Sequence, residues 1–183
     1  MIEKPTFITG NPSKAEQLGW HLGVELNHIA SDTPEIQSLS LEEIVVNKTK
    51  AAFEIVEGPV LVEDTSLVFH ALGLLPGPLI KWFLKELDNK GLCHLLDNYD
   101  DRSATASVLF GYYDGKELKT FSGEAEGSIA YEPRGKRGFG WDSVFIPKGH
   151  KKTWGEMSKD EQSETSMRRI ALKKLESYFH CSD

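Results

Sequence analysis

The run Val60-Leu61-Val62, set between Gly58-Pro59 and Glu63-Asp64, constrains this chain more than any other stretch. A continuous apolar run that short has the pattern of a strand covered on both faces, which calls for helices around it. The flanks supply them. Leu41, Ile44, Val45, Ala51, Ala52 and Ile55 recur at helical spacing before the run, and Gly58-Pro59 ends that helix. Upstream, Thr6-Phe7-Ile8 is a β-prone triplet. Asn11 at N-cap and Pro12 at the first helical position open a helix reaching about Leu22. A second strand is expected around Val24 to Ala30, followed by the proline-marked turn Thr33-Pro34-Glu35-Ile36-Gln37.

Past the bend at residues 76–78, one or two helices reach Asn98 and the character then changes. Ser103 to Tyr113, Glu117 to Ser122 and Glu124 to Tyr131 read as strands, with a hairpin signal at Asp114-Gly115. Glu132 to Gly140 is a loop rich in Gly, Pro, Lys and Arg. Ser158 and Glu161 form a capping box, and Ser163 to Phe179 reads as a closing helix with Arg168, Leu172, Leu175 and Phe179 on one face. The expected fold is α/β: an α/β/α sandwich around an elongated, mixed central sheet. It would form one domain over residues 1–183, with two lobes and a cleft.

With 183 residues, 39% of them hydrophobic, the chain can bury a core of that size. The net charge of −7 argues against general nucleic-acid affinity, which needs a basic surface. An anionic ligand must then be met by a local cluster of cations. No apolar run is long enough for a membrane helix and no secretory leader is visible, so a cytoplasmic protein is expected. The two cysteines, Cys93 and Cys181, make neither a disulfide framework nor a zinc site.

Several polar groups stand where another hydrophobe would be expected. The Thr9 to Lys14 turn presents backbone N–H groups at a helix start, beside a lysine; it reads either as an ordinary cap or as a phosphate site. Lys48 leaves its helix from the middle of the apolar stripe, Lys81 sits within Leu79-Ile80-Lys81-Trp82-Phe83, and Arg168 heads the stripe of the last helix. Each can snorkel to the surface along its own stem. In an acidic chain, one shared anion accounts for all three. Glu63 and Asp64 close a buried strand, and unpaired carboxylates there are costly, which a magnesium ion would relieve. Glu35 is a further candidate carboxylate, or a solvated loop acid. Phe139 and Trp141, around Gly140 and before Asp142, can stack a base and bond its edge, or plug the end of the sheet.

In this order, the segments resemble the inosine triphosphate pyrophosphatase family over residues 6–179, nearly the whole chain. Thr9-Gly10-Asn11 with Lys14 resembles its phosphate turn, Pro34-Glu35-Ile36-Gln37 its metal-binding turn, and Lys48 its helical substrate lysine. Val62-Glu63-Asp64-Thr65-Ser66 resembles the acidic strand whose second acid binds metal and helps activate water. Residues 75–83 resemble the next segment, including Lys81, while Pro133-Arg134-Gly135 and Phe139-Gly140-Trp141-Asp142 resemble the base loop.

The resemblance implies Mg²⁺-dependent hydrolysis of non-standard purine nucleoside triphosphates (ITP, dITP, XTP) to monophosphate and pyrophosphate. Mn²⁺ would be an alternative ion, and the assembly a homodimer. Asp64 would be catalytic, with Glu35 and Asp64 as metal ligands. Thr9, Gly10, Asn11, Lys14, Lys48, Asp64, Thr65, Lys81, Phe139, Gly140, Trp141, Asp142 and Arg168 would be substrate-binding. The match breaks in the last helix. Members usually carry Ser-His-Arg where this chain has Ser166-Met167-Arg168, and a substrate lysine is replaced by Gln162. Altered base specificity is therefore one alternative. A nucleotide-binding protein with little turnover is another, which the retained Glu35, Glu63 and Asp64 argue against.

Overall fold

The computed structural model describes residues 5–22, 27–31, 33, 34 and 36–180. In chain order the elements are β1 (Thr6–Ile8), α1 (Pro12–Leu22), β2 (His28–Ile29), α2 (Leu41–Val56), β3 (Val60–Phe69), β4 (Pro76–Gly77) and α3 (Ile80–His94). Then follow β5 (Ser103–Tyr113), β6 (Leu118–Ile129), β7 (Phe145–Pro147), α4 (Lys159–Thr165) and α5 (Met167–His180). The strands pair in the order β2-β1-β3-β5-β6-β7, with β4 also on β3. β1 is parallel to both neighbours, Phe7 standing opposite His28 and Leu61, whereas β3–β4 and β6–β7 are antiparallel. This is the mixed α/β sheet with helices that the alternation implies. No helix among the described residues is long and apolar enough to cross a membrane.

The chain divides into two units. The first holds Met1–Asp64, Val108–Gly123 and Arg168–Asp183; the second holds Thr65–Ser107 and Glu124–Met167. In the first unit, Ile8, Val45, Ala52, Val60, Val62 and Leu109 form a buried cluster, with Leu41, Phe53, Val56 and Tyr113 packed on it. Each fully buried aliphatic side chain of this kind contributes about 1.5–3 kcal/mol. Gly111 allows α2 to lie close: a Cβ there would stand 2.1 Å from Thr49 Oγ1 and 2.8 Å from Val45 Cγ1. Tyr112, Phe121, Tyr178 and Phe179 make a second aromatic contact set in this unit. In the second unit the Arg102 guanidinium donates to the carbonyls of Cys93, Ile129 and Ala130, tying the end of α3 to the end of β6. Burial pushes the Cys93 thiol up to about 11, as suits an inert core thiol.

Four expectations are corrected. β3 does not stop at Glu63-Asp64 but continues to Phe69, so the two acids lie inside a strand. The β-prone sequence Thr65 to Phe69 carries the ladder on, and Glu63 is tolerated there because its charge is paired. β6 is one strand through Gly123, where two were expected. The closing helix is two: Ser166, at φ −74° and ψ 125°, is extended and separates α4 from α5. Ile55, counted in the α2 stripe, is half exposed. The Ser158–Glu161 capping box is present as expected. Asp88, at φ 55°, divides α3 and caps its second part by accepting from the Lys90 and Gly91 N–H groups.

Candidate active site

In the first unit, sequence-distant elements bring five charged side chains together. Glu63 of β3 is 1% exposed. Arg168, from the first turn of α5, donates to it twice, Nε to Oε2 at 3.0 Å and Nη2 to Oε1 at 2.6 Å. Lys14 of α1 sits 3.5 Å from Glu63 Oε1 and 3.7 Å from Asp64 Oδ1. Lys48 of α2 reaches Asp64 Oδ2 at 3.4 Å. Burial alone would raise the Glu63 carboxyl, but the Arg168 guanidinium and the Lys14 ammonium outweigh it and hold the group below its ordinary value. Lys48 and Arg168 were read from sequence as misplaced cations awaiting a shared anion. Their anions include the protein's own Asp64 and Glu63.

The opening turn is built as a cap. Asn11 Oδ1 accepts from the Ser13 N–H at 3.0 Å, and the Thr9 hydroxyl accepts from the Asn11 N–H at 3.1 Å. These two donors are already used, so the cationic part of the turn is the Lys14 ammonium. Thr9 is buried and Gly10 exposed. Glu35 lies outside the described residues. Among the described residues no three metal-binding side chains cluster. Asp64, with its side chain 18% exposed beside buried Glu63, offers the hard oxygen donor a divalent ion prefers. Glu63 does not fit that role, because both its oxygens bond to Arg168.

The second unit holds the aromatic loop. Trp141 is 8% exposed, its ring 6.0 Å from Phe145 and 5.7 Å from Trp154. Its ring packs in the core of this unit and anchors the loop, as in the plug reading of the two that the sequence leaves open; Phe139 is the less buried of the pair. Asp142 Oδ2 accepts from the Phe139 N–H at 2.8 Å and from Gln162 Nε2 at 3.1 Å. Gly138, at φ +75°, is required here, since a Cβ would lie 2.1 Å from that oxygen. Asn89 of α3 donates to the Gly140 carbonyl at 2.9 Å. Thr65 is half buried and Met167 buried. Lys81 is exposed on the first turn of α3, near Trp82, itself 53% exposed. The apolar run around Lys81 is therefore no buried stripe, and its ammonium is exposed. Sequence reasoning missed the bonds made by Gln162 and Asn89, for which polar side chains on short helices leave no local signal.

A mixed-sheet α/β protein with a lysine-flanked acidic strand and a glycine-aromatic loop defines a narrow class. A model of the Ham1 family matches residues 6–178. Inosine triphosphate pyrophosphatase of Schizosaccharomyces pombe is 42% identical over 182 residues, covering 97% of this chain and 96% of that protein. Inosine triphosphate pyrophosphatase 2 of Trypanosoma cruzi is 43% identical over 182 residues, covering 96% and 92%. The solved Ham1 protein of Staphylococcus aureus shares the fold, with a TM-score of 0.84 at 24% identity over 97% of this chain and 100% of that one. The chain belongs to the Ham1 family, that of the inosine triphosphate pyrophosphatases.

Proposed function

We propose that this protein is a magnesium-dependent pyrophosphatase that hydrolyses non-standard purine nucleoside triphosphates, ITP, dITP and XTP, to the monophosphate and pyrophosphate. The observation that carries the reading is the charge cluster of the first unit. Among the described residues, three cations, Lys14, Lys48 and Arg168, gather on the neighbouring carboxylates Glu63 and Asp64. Three cations drawn together in a chain of net charge −7 are a local place for an anionic ligand. Glu63 holds Arg168 and helps place Lys14, while Lys14 and Lys48 flank Asp64 and offer ammonium donors to phosphate oxygens.

In the reaction, water attacks the α-phosphorus, the bond to the β-phosphate bridging oxygen breaks, and pyrophosphate leaves. Asp64 orients the water and accepts its proton at a carboxylate oxygen. A bound magnesium ion would neutralise charge on the leaving group, with Asp64 and Glu35 as the residues to hold it and manganese as a substitute. Phe139, Gly140 and Asp142 are assigned to the base, Thr9, Gly10 and Asn11 of the opening turn and Thr65 of β3 to the phosphates, and Lys81 to the substrate's vicinity. The same reading takes the protein as cytoplasmic and as a homodimer, and sedimentation velocity would test the homodimer.

The deciding assay is pyrophosphate release from ITP, dITP, XTP, ATP and GTP at equal concentration, with magnesium and with chelator. Metal-dependent release from ITP and XTP well above ATP and GTP is expected. Equal release from all five would instead favour the second reading, relaxed base selection. That reading is motivated by Met167, which has no hydrogen-bond donor where relatives of the resemblance carry histidine. Tight binding without release would favour a nucleotide-binding protein.

A further inference from the structure

Gln162 stands where the family resemblance leads one to expect a cation, and the structure gives it a definite partner. Its Nε2 donates to Asp142 Oδ2 at 3.1 Å, the same oxygen that accepts the Phe139 N–H. Both ends of that contact are anchored. Trp154 Nε1 donates to Thr165 Oγ1 at 2.8 Å, and the Thr165 hydroxyl is 3.2 Å from the Gln162 carbonyl, which fixes α4 over the aromatic cluster. The Asp142 carbonyl accepts from the Gly155 N–H at 2.8 Å, and Gly138 leaves room for the carboxylate.

An ionised carboxylate only accepts, so the Gln162 amide must turn Nε2 toward it, which sends Oε1 away. We propose that Gln162 is a positioning residue for base selection, fixing the Asp142 carboxylate through Oδ2 so that it meets the base as a hydrogen-bond acceptor. This rests on the assignment of Asp142 to the base made above. A 6-oxo purine presents an N1–H donor, whereas a 6-amino purine presents a lone pair at N1. A fixed anionic acceptor favours the first and repels the second. The amide holds the carboxylate by one hydrogen bond and leaves its charge in place.

The test is the affinity of IMP relative to AMP, by calorimetry, for the wild type, Gln162→Leu, Gln162→Glu and Gln162→Lys. The wild type is expected to prefer IMP. Gln162→Leu should narrow the preference about tenfold, the loss of one hydrogen bond to a charged group, and Gln162→Lys, which keeps a donor, should retain more of it. Gln162→Glu is isosteric and sets a second carboxylate against Oδ2, so one proton is shared at a raised pKa. Its preference should be lost at high pH and return as pH falls through that value, a behaviour absent from the wild type and not produced by mere loosening. Among the described residues, the charged groups on these elements include Lys159, Asp160, Glu161 and Glu164 of α4 and Asp88, Arg134, Arg137 and Glu156 on the neighbouring segments. Three of the acids have other partners: Glu156 lies 3.5 Å from Arg134, Glu161 2.8 Å from Lys152, and Asp88 accepts from Lys90 and Gly91. A wild type without preference, or Leu and Glu variants matching the wild-type ratio at every pH, would overturn the proposal. Because IMP and AMP are not hydrolysed, a lack of pyrophosphate release would sink the hydrolytic reading alone and leave this comparison to decide Gln162.

Discussion

Glu63 and Asp64 are neighbours in sequence with opposite circumstances. Glu63 is buried and doubly bonded to Arg168, so its carboxylate organises the cluster. Glu63→Gln leaves a buried guanidinium without its counter-charge and is expected to cost about 3–5 kcal/mol, read from urea denaturation. Asp64 is more open, and Asp64→Asn should lower turnover by about 10²–10⁴-fold with the unfolding midpoint little changed. Near-wild-type pyrophosphate release from that variant would remove Asp64 from the mechanism. Reading both acids as candidates for one ion was possible from sequence. The family resemblance favoured Asp64 over Glu63, but the physical reason was not legible, because the guanidinium that claims Glu63 comes from 105 residues away. Trp141 makes the same point: its aromatic character was legible, but the choice between stacking face and core ring depended on Phe145 and Trp154.

Among the elements, local signals were sound where the deciding interactions are local. Asn11-Pro12 opens α1, Ser158 with Glu161 caps α4, and Asp114 closes the hairpin by accepting from the Lys116 and Glu117 N–H groups. The errors fell where an element's end depends on distant contacts. β3 runs through two acids because one of them is paired, and α4 ends at Ser166 with Thr165 bonded to Trp154. Packing of α2 on β5 rests on the missing side chain of Gly111. Gly111→Ala should lower stability by about 1–3 kcal/mol through overpacking, measured as a drop in Tm. Adding Thr49→Ala, which removes the nearest atom, should recover part of that loss. If Gly111→Ala is as stable as the wild type, α2 does not need the close approach.

At the scale of the whole molecule, the buried charge of Glu63 couples stability to pH. Its carboxyl is held below its ordinary value of 4.5 in the folded state, so the unfolded chain takes up the proton first as pH falls. The contribution is full above that ordinary value and is lost as pH drops through the depressed one. Acid titration followed by circular dichroism should therefore show wild-type stability declining from about pH 4.5 downward, with Glu63→Gln less sensitive over the same range. An identical acid profile in the two proteins would deny Glu63 this role. The sequence by itself determined the class: alternating helices and strands around an apolar run, an acidic chain with cations at odd positions, and motifs in an order that points to one family. Only the tertiary structure decided which charges meet, which ring is core, and that Gln162 reaches Asp142. Periodicity and capping are encoded within a few residues, whereas the partner of a buried charge is chosen by packing among groups far apart in the chain.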